Sequence, residues 1–278
     1  QDPPAPALAA LAECGFFASW YDAAFADSDP GMEVEFRFFA ADGSPTSGDV
    51  ILPPVPIEGF NDHEMPPLTA IELADGNILL AYQSDNSAAV DGGPPNTNAV
   101  VGHIIDSVGF TAGPQFLINT TSAEDQSGPV LTPLHDGRVF AVWYDDSDRD
   151  GSTQMQVRGQ FLNADGTKSG GELVIGSVDV EGNNQLDMPP LTAITTANGD
   201  VLVTWQSEDL FNADGNGSAV VSVLIRTQTS AGNDTLRGGD GDDTLFGMGA
   251  DDLLEGENND DTLHGGSGKD DLRGGSGD

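Results

Sequence analysis

The chain has 278 residues, enough for one large domain or two smaller ones. Its 9 Lys+Arg against 46 Asp+Glu give a formal net charge of −37, which excludes the basic footprint of a nucleic-acid binder and opposes an anionic membrane surface. No apolar run approaches the roughly 18 to 20 residues that span a bilayer, 36 Gly and 17 Pro favour many short strands, and the single Cys14 excludes an internal disulfide framework.

The start at Gln1 lacks the basic and apolar stretches of a signal peptide, so the chain reads as a fragment or a mature form. From there a unit of about 61 residues repeats. Trp20, Tyr82, Trp143 and Trp205 lie 62, 61 and 62 apart, and each closes an apolar run: FFASW, ILLAY, VFAVW, VLVTW. A glycine precedes each aromatic by five or six residues: Gly15, Gly76, Gly137 and Gly199. Met65–Ile71 recurs unchanged as Met188–Ile194.

Within a unit the predicted order is strand a, a tight turn, strand b with the aromatic, an acidic loop, strand c, a second turn and a short strand d. Asp75-Gly76, Asp136-Gly137 and Asn198-Gly199 mark the first turn. Val34–Phe38 and Val157–Phe161 carry the alternation of strand c. Asp42-Gly43 and Asp165-Gly166 mark the second turn, 22 residues after the Trp. Strand d is VIL, FLIN or ELVI, and the fourth unit lacks it. Four antiparallel strands per unit predict an all-β, propeller-like domain over 1–228, with about 3.75 units. A four-bladed ring fits, further units upstream are an alternative, and an open stack of sheets is the runner-up. The repeated aromatic is expected to be one large core side chain per unit.

The third acidic loop reads Asp146-Ser147-Asp148-Arg149-Asp150-Gly151, the opening of many calcium loops. Val157 stands where an EF-hand needs its bidentate Glu, so this is not an EF-hand. Asp146, Asp148 and Asp150 are expected to bind calcium between strands. The corresponding loops of the first two units read as solvated acidic loops.

From Thr229 the period becomes nine. Residues 229–278 hold 13 Gly, 13 acids and 3 bases, a local net charge of −10. Asp234, Asp243, Asp252, Asp261 and Asp270 are nine apart, each followed two residues later by Leu236, Leu245, Leu254, Leu263 or Leu272. The units resemble the repeats-in-toxin (RTX) motif G-G-x-G-x-D-x-U-x, as in Gly238-Gly239-Asp240-Gly241-Asp242-Asp243-Thr244-Leu245-Phe246. The resemblance covers about 50 residues and implies a parallel β-roll over 229–278. One nonapeptide makes half a turn, loops two units apart share an ion, and six loops allow up to four sites. Candidate ligands are Asp234, Gly238, Asp240, Asp242, Asp243, Asp251, Asp252, Asp260, Asp261, Gly265 and Asp270. Two units depart from the motif: Gly247-Met248-Gly249-Ala250 and Gly256-Glu257-Asn258-Asn259. Asn tolerates left-handed backbone angles, so the damage at 258–259 is expected to be the milder. The last unit stops one residue before its expected ligand Asp, as a truncated array would.

The upstream units are similar, more loosely, to repeats that precede RTX arrays in large secreted bacterial proteins. That resemblance implies calcium as the cofactor, an extracellular or cell-surface location, and export unfolded through type I secretion machinery. No nucleic acid and no membrane insertion are expected. Neither H-E-x-x-H nor G-x-S-x-G is present, the four histidines are scattered, and the seven arginines are dispersed. The expected function is a non-catalytic structural or surface module folded by calcium. The alternatives are an adhesin binding glycans or cell-surface proteins and, behind it, a propeller-type hydrolase.

Overall fold

The computed structural model describes residues 6–22, 33–52, 67–84, 98–120, 126–145, 155–178, 190–207, 219–227, 233–240, 243–247 and 250–277. They form twenty-one strands and no helix. The fold is all-β, with propeller-like repeats followed by a parallel β-roll, as the sequence requires. Two compact units are present: Gln1–Pro133 with Gly137–Met188, and Leu134–Asp136 with Pro189–Asp278.

The first unit holds three antiparallel sheets, each in chain order. The first is β1 (Ala7–Leu11), β2 (Gly15–Asp22), β3 (Glu33–Ala40) and β4 (Val50–Ile51). The second is β5 (Thr69–Glu72), β6 (Ile78–Ser84), β7 (Ala99–Asp106) and β8 (Thr111–Ala112), with β9 (Phe116–Leu117) also pairing β7. The predicted strand d of this repeat, FLIN, forms in part as β9, and β8 is a further short pairing ahead of it. The third is β10 (Gln126–Pro133), β11 (Val139–Asp145), β12 (Met155–Leu162) and β13 (Lys168–Val178).

Strand periodicity explains how the sheets stack. Alternate side chains of a strand point to opposite faces. On β6, Leu80 and Tyr82 pack with Phe17, Phe36 and Phe38 of the first sheet. Leu79 and Ala81 of the same strand pack with Val139, Trp143 and Leu162 of the third. Both β6 and β11 are buried along their whole length, so they read as continuous apolar runs. The repeated aromatic is a core residue in Tyr82, Trp143 and Trp205, and half-buried in Trp20.

The turns follow from local chemistry. Gly76, Gly137, Gly166 and Gly199 take φ of 84°, 86°, 82° and 91°, which L side chains adopt at a cost. The first repeat solves the same turn differently. There Cys14 carries the positive φ, and Gly15 already lies in β2 against the carbonyl oxygen of Phe39, where a Cβ would collide.

A buried histidine stands inside the second sheet. His103 Nδ1 lies 2.8 Å from the Gly113 carbonyl oxygen, so it carries the proton and donates. Nε2 is then an acceptor, and the Tyr82 hydroxyl donates to it over 3.0 Å. Gln115 Nε2 donates in turn to the Tyr82 oxygen over 3.2 Å. Sequence reading left His103 as one of four scattered histidines; the fold makes it core. Burial holds its pKa below the usual 6.5. The unfolded chain then binds a proton before the folded one does. Stability is full above about pH 6.5 and falls as pH drops towards the folded pKa, by at most about 1.4 kcal/mol per pH unit. Urea titrations from pH 7.0 to 5.0 should show a steeper loss in the parent than in His103→Gln. Parallel slopes would mean the folded ring accepts its proton freely.

The second unit begins with β14 (Leu191–Thr195), β15 (Val201–Ser207) and β16 (Ala219–Thr227), again antiparallel. The same sheet continues through β18 (Thr244–Phe246) and β20 (Thr262–His264), both running parallel to β16. Opposite lies a parallel sheet of β17 (Thr235–Asp240), β19 (Leu253–Asn258) and β21 (Asp271–Ser276). Thr235 faces Leu253, and Leu253 faces Asp271, so each coil advances 18 residues, or two nonapeptides. Leu236, Leu245 and Leu254 form the narrow core between the two sheets, with Leu263 packed against it.

Candidate metal centre

Glycine placement builds the loops between the roll strands. Gly239, Gly266 and Gly275, the second residues of their units, have φ of 105°, 96° and 97°. Gly268, a fourth residue, has φ 143° and lies against the carbonyl oxygen of Ala250, 18 residues back. Gly275 lies likewise against the Glu257 carbonyl, and Gly277 against that of Asn259. A Cβ at these positions would collide with main-chain oxygen. Close stacking of loops is thus the reason for glycine there.

The irregular units keep the same backbone course with other residues. Ala250, Glu257 and Asn259 sit at φ 84°, 81° and 76°. Asn259 tolerates this, as expected. Glu257 does not, and its strain was not foreseen. Replacing Glu257 or Ala250 by Gly is expected to stabilise the folded roll by about 0.5–1 kcal/mol each, net of the extra freedom glycine gives the unfolded chain. The exposed pairing of Glu257 with Arg237 at 3.0 Å is weak enough to lose. Thermal melts at fixed calcium would read the gain, and an unchanged or lower midpoint would refute it.

The inward-facing carboxylates are the sixth residues of their units. Asp252 Oδ1 accepts the Asp234 amide proton over 2.8 Å, Asp261 Oδ1 that of Asp243 over 3.0 Å, and Asp270 Oδ1 that of Asp252 over 3.0 Å. Each carboxylate so ties its loop to the loop 18 residues earlier. The second oxygens turn into the loops. Asp252 Oδ2 and Asp261 Oδ2 are buried, with no hydrogen-bond partner among the described residues. Main-chain oxygens gather beside them. A Cβ on Gly247 would meet Asp252 Oδ2 at 2.5 Å and the Gly265 carbonyl oxygen at 2.6 Å. A Cβ on Gly238 would meet the Gly256 carbonyl oxygen at 2.5 Å and Asp243 Oδ2 at 2.8 Å.

The remaining sequence candidates are placed differently. Asp251 and Asp260 are exposed. Asp251 Oδ1 accepts the Lys269 amide proton over 2.8 Å, which makes it a loop-to-loop tie on the outside. The backbone of Asp240 ends β17, while its side chain, Asp242, and the loop with Asp146, Asp148 and Asp150 lie outside the described residues. No three His, Cys, Asp or Glu side chains cluster to hold a metal among the described residues. Any ion here must take part of its shell from the backbone. The donors are then all oxygen, a mixture of carboxylate and carbonyl that suits a hard cation of variable geometry such as Ca²⁺.

Sequence reading missed the ninth residues, whose partners also lie 18 apart. Arg237 Nη2 is 2.7 Å from Glu255 Oε2, and Arg273 Nη1 is 2.8 Å from Glu255 Oε1. On the other sheet Phe246 and His264 stack with centroids 4.6 Å apart. The signal was present as Arg-Glu-Arg and Phe-His taken at every second unit.

Residues 228–254 and 246–278 match the RTX calcium-binding nonapeptide repeat (4 copies). The C-terminal segment therefore carries RTX repeats of the calcium-binding type. No functionally curated protein matches the sequence. Among solved structures, the chain is similar to the endo-arabinase of Bacteroides thetaiotaomicron VPI-5482, with 14% identity over 79% of this chain and 74% of that one, TM-score 0.46. It is similar to the α-L-arabinanase of Penicillium chrysogenum complexed with arabinobiose, with 16% identity over 78% of this chain and 64% of that one, TM-score 0.46. It is also similar to the mannose phosphorylase MPT-4 of Leishmania mexicana, with 11% identity over 79% and 67% of the two chains, TM-score 0.43.

Proposed function

We propose that this chain is a secreted, non-catalytic calcium-binding module, structural or surface-exposed, whose C-terminal roll folds when calcium fills its loops. One observation carries the reading: Asp252, which is buried, and Asp261, which is half-buried, each present a buried, unpartnered carboxylate oxygen to loops lined with main-chain oxygen. A buried carboxylate without a counter-charge is costly, and only a cation relieves both it and the carbonyls around it.

Asp234, Asp243, Asp252, Asp261 and Asp270 would hold the ions together with carbonyls such as those of Gly256 and Gly265. The Asp146–Asp150 loop would add a separate site. Calcium supplies the positive charge that the roll lacks. Without it, the −10 segment repels itself and stays open, the state in which type I secretion would export it. Sites in extracellular modules bind at about 10⁻⁴ to 10⁻³ M, so cytosolic calcium would leave the roll unfolded and external calcium would fold it.

The test is titration calorimetry on the whole chain with circular dichroism alongside, first in EDTA and then at rising Ca²⁺. The expected result is several ions bound, up to about four in the roll, with a gain of β signal at millimolar Ca²⁺. Absence of binding at about 10 mM Ca²⁺ would overturn the reading.

A further inference from the structure

The fourth repeat has three antiparallel strands of its own, and among the described residues its outer neighbour comes from the roll. β16 pairs with β18 in parallel, Ile225 opposite Thr244, Arg226 opposite Leu245 and Thr227 opposite Phe246. The sheet therefore runs β14-β15-β16-β18-β20 without a break. The junction is a sealed one: Ile225, Leu245 and Phe246 are all buried. The strands upstream of it are less well covered than their counterparts. β6 and β11 are buried throughout, whereas β15 alternates between buried and half-buried, and Val220 on β16 is 79% exposed.

From this we infer that the roll serves as the missing outer strand of the fourth repeat, so that calcium loading of the roll controls the order of β15 and β16. The inference rests on the calcium reading above and adds a consequence for the propeller-like part. Backbone groups at the C-terminal end of β16, Ile225–Thr227, find ladder partners when β18 is formed, and β18 belongs to the first coil tied by the Asp243–Asp261 contact. A three-stranded sheet with one half-covered strand gains more from an added strand than a fully buried one does. The junction also works in the other direction. β16 offers an edge on which the first roll coil can register, which lowers the cost of nucleating it.

Amide hydrogen exchange of the full chain, read by mass spectrometry, tests the coupling. Calcium should slow exchange in β15 and β16 by about tenfold or more, together with 233–277, while β2 and β3 stay unchanged. Asp243→Ala combined with Asp261→Ala should abolish the calcium effect on β15 and β16; its persistence would assign it to the loop between those strands and overturn the inference. Protection confined to 233–277 would overturn the coupling while leaving the calcium reading intact. If calcium protects neither region, both fail.

Discussion

Replacing Arg158 by Ala is expected to cost the first unit about 3–5 kcal/mol, because it strands two buried carboxylates. Arg158 projects from β12, and its Nε lies 2.5 Å from Asp145 Oδ2 at the end of β11. Nη1 lies 3.0 Å from Glu172 Oε1 on β13, and Nη2 donates to Gln156 over 2.7 Å. Glu172 Oε2 also accepts the Thr120 amide proton over 2.6 Å, which ties the second sheet to the third. All three charged side chains are buried, so water cannot replace the guanidinium. Replacing the set together, as Arg158→Met, Asp145→Leu and Glu172→Gln, should instead fall within about 1 kcal/mol of the parent, since the charges go as a group and the Glu172→Gln side chain keeps a carbonyl oxygen to accept from Thr120. Urea unfolding of both variants at pH 7 decides the matter. A loss below about 1 kcal/mol for the Ala variant would show that the carboxylates rehydrate.

The second large effect is expected at Leu254. Its side chain is fully buried between the two roll sheets, beside Leu236 and Leu245. Leu254→Ala should destabilise the loaded roll by about 2–5 kcal/mol. Leu272 has the same place in the repeat but is 48% exposed, and its replacement should cost well under half as much. Folding and calcium binding are one equilibrium here, so the loss appears as a higher calcium midpoint. A loss of about 3 kcal/mol spread over four cooperative ions raises that midpoint roughly threefold, at about 1.4 kcal/mol per decade per ion. Equal midpoints for the two Leu variants would mean that the leucines do not form a common core.

Much of the fold was legible because its cues are local. Asp-Gly and Asn-Gly pairs mark turns through the φ that Gly alone adopts cheaply, and the structure puts Gly76, Gly137 and Gly199 there. Strand alternation is visible in Val34, Phe36 and Phe38, all buried. The first repeat shows the limit. Gly15 looks like a turn residue by position, yet the turn uses Cys14, and Gly15 answers to a close approach of Phe39 from another strand. The Arg158 cluster was illegible for a related reason. Its members sit at positions 145, 156, 158 and 172, share no period, and meet only because β11, β12 and β13 pair.

The candidate metal site divides the same way. A nine-residue spacing of Asp and Leu in a Gly-rich chain carries the resemblance to the RTX motif, and that resemblance implies half-turn coils with Leu facing the core and loops able to present oxygen. That spacing puts Asp252 and Asp261 in the unbroken series and leaves Asp251 and Asp260 outside it, but it does not say what either set does. The stacking of coils 18 residues apart does: it turns the second acid of each pair inward and leaves the first outside. The sequence likewise shows that the fourth repeat lacks a strand, but only the parallel pairing of β16 with β18 shows what takes its place. Turn angles and side-chain alternation depend on neighbours a few bonds away, whereas burial and strand partnership depend on residues that the folded chain alone brings together.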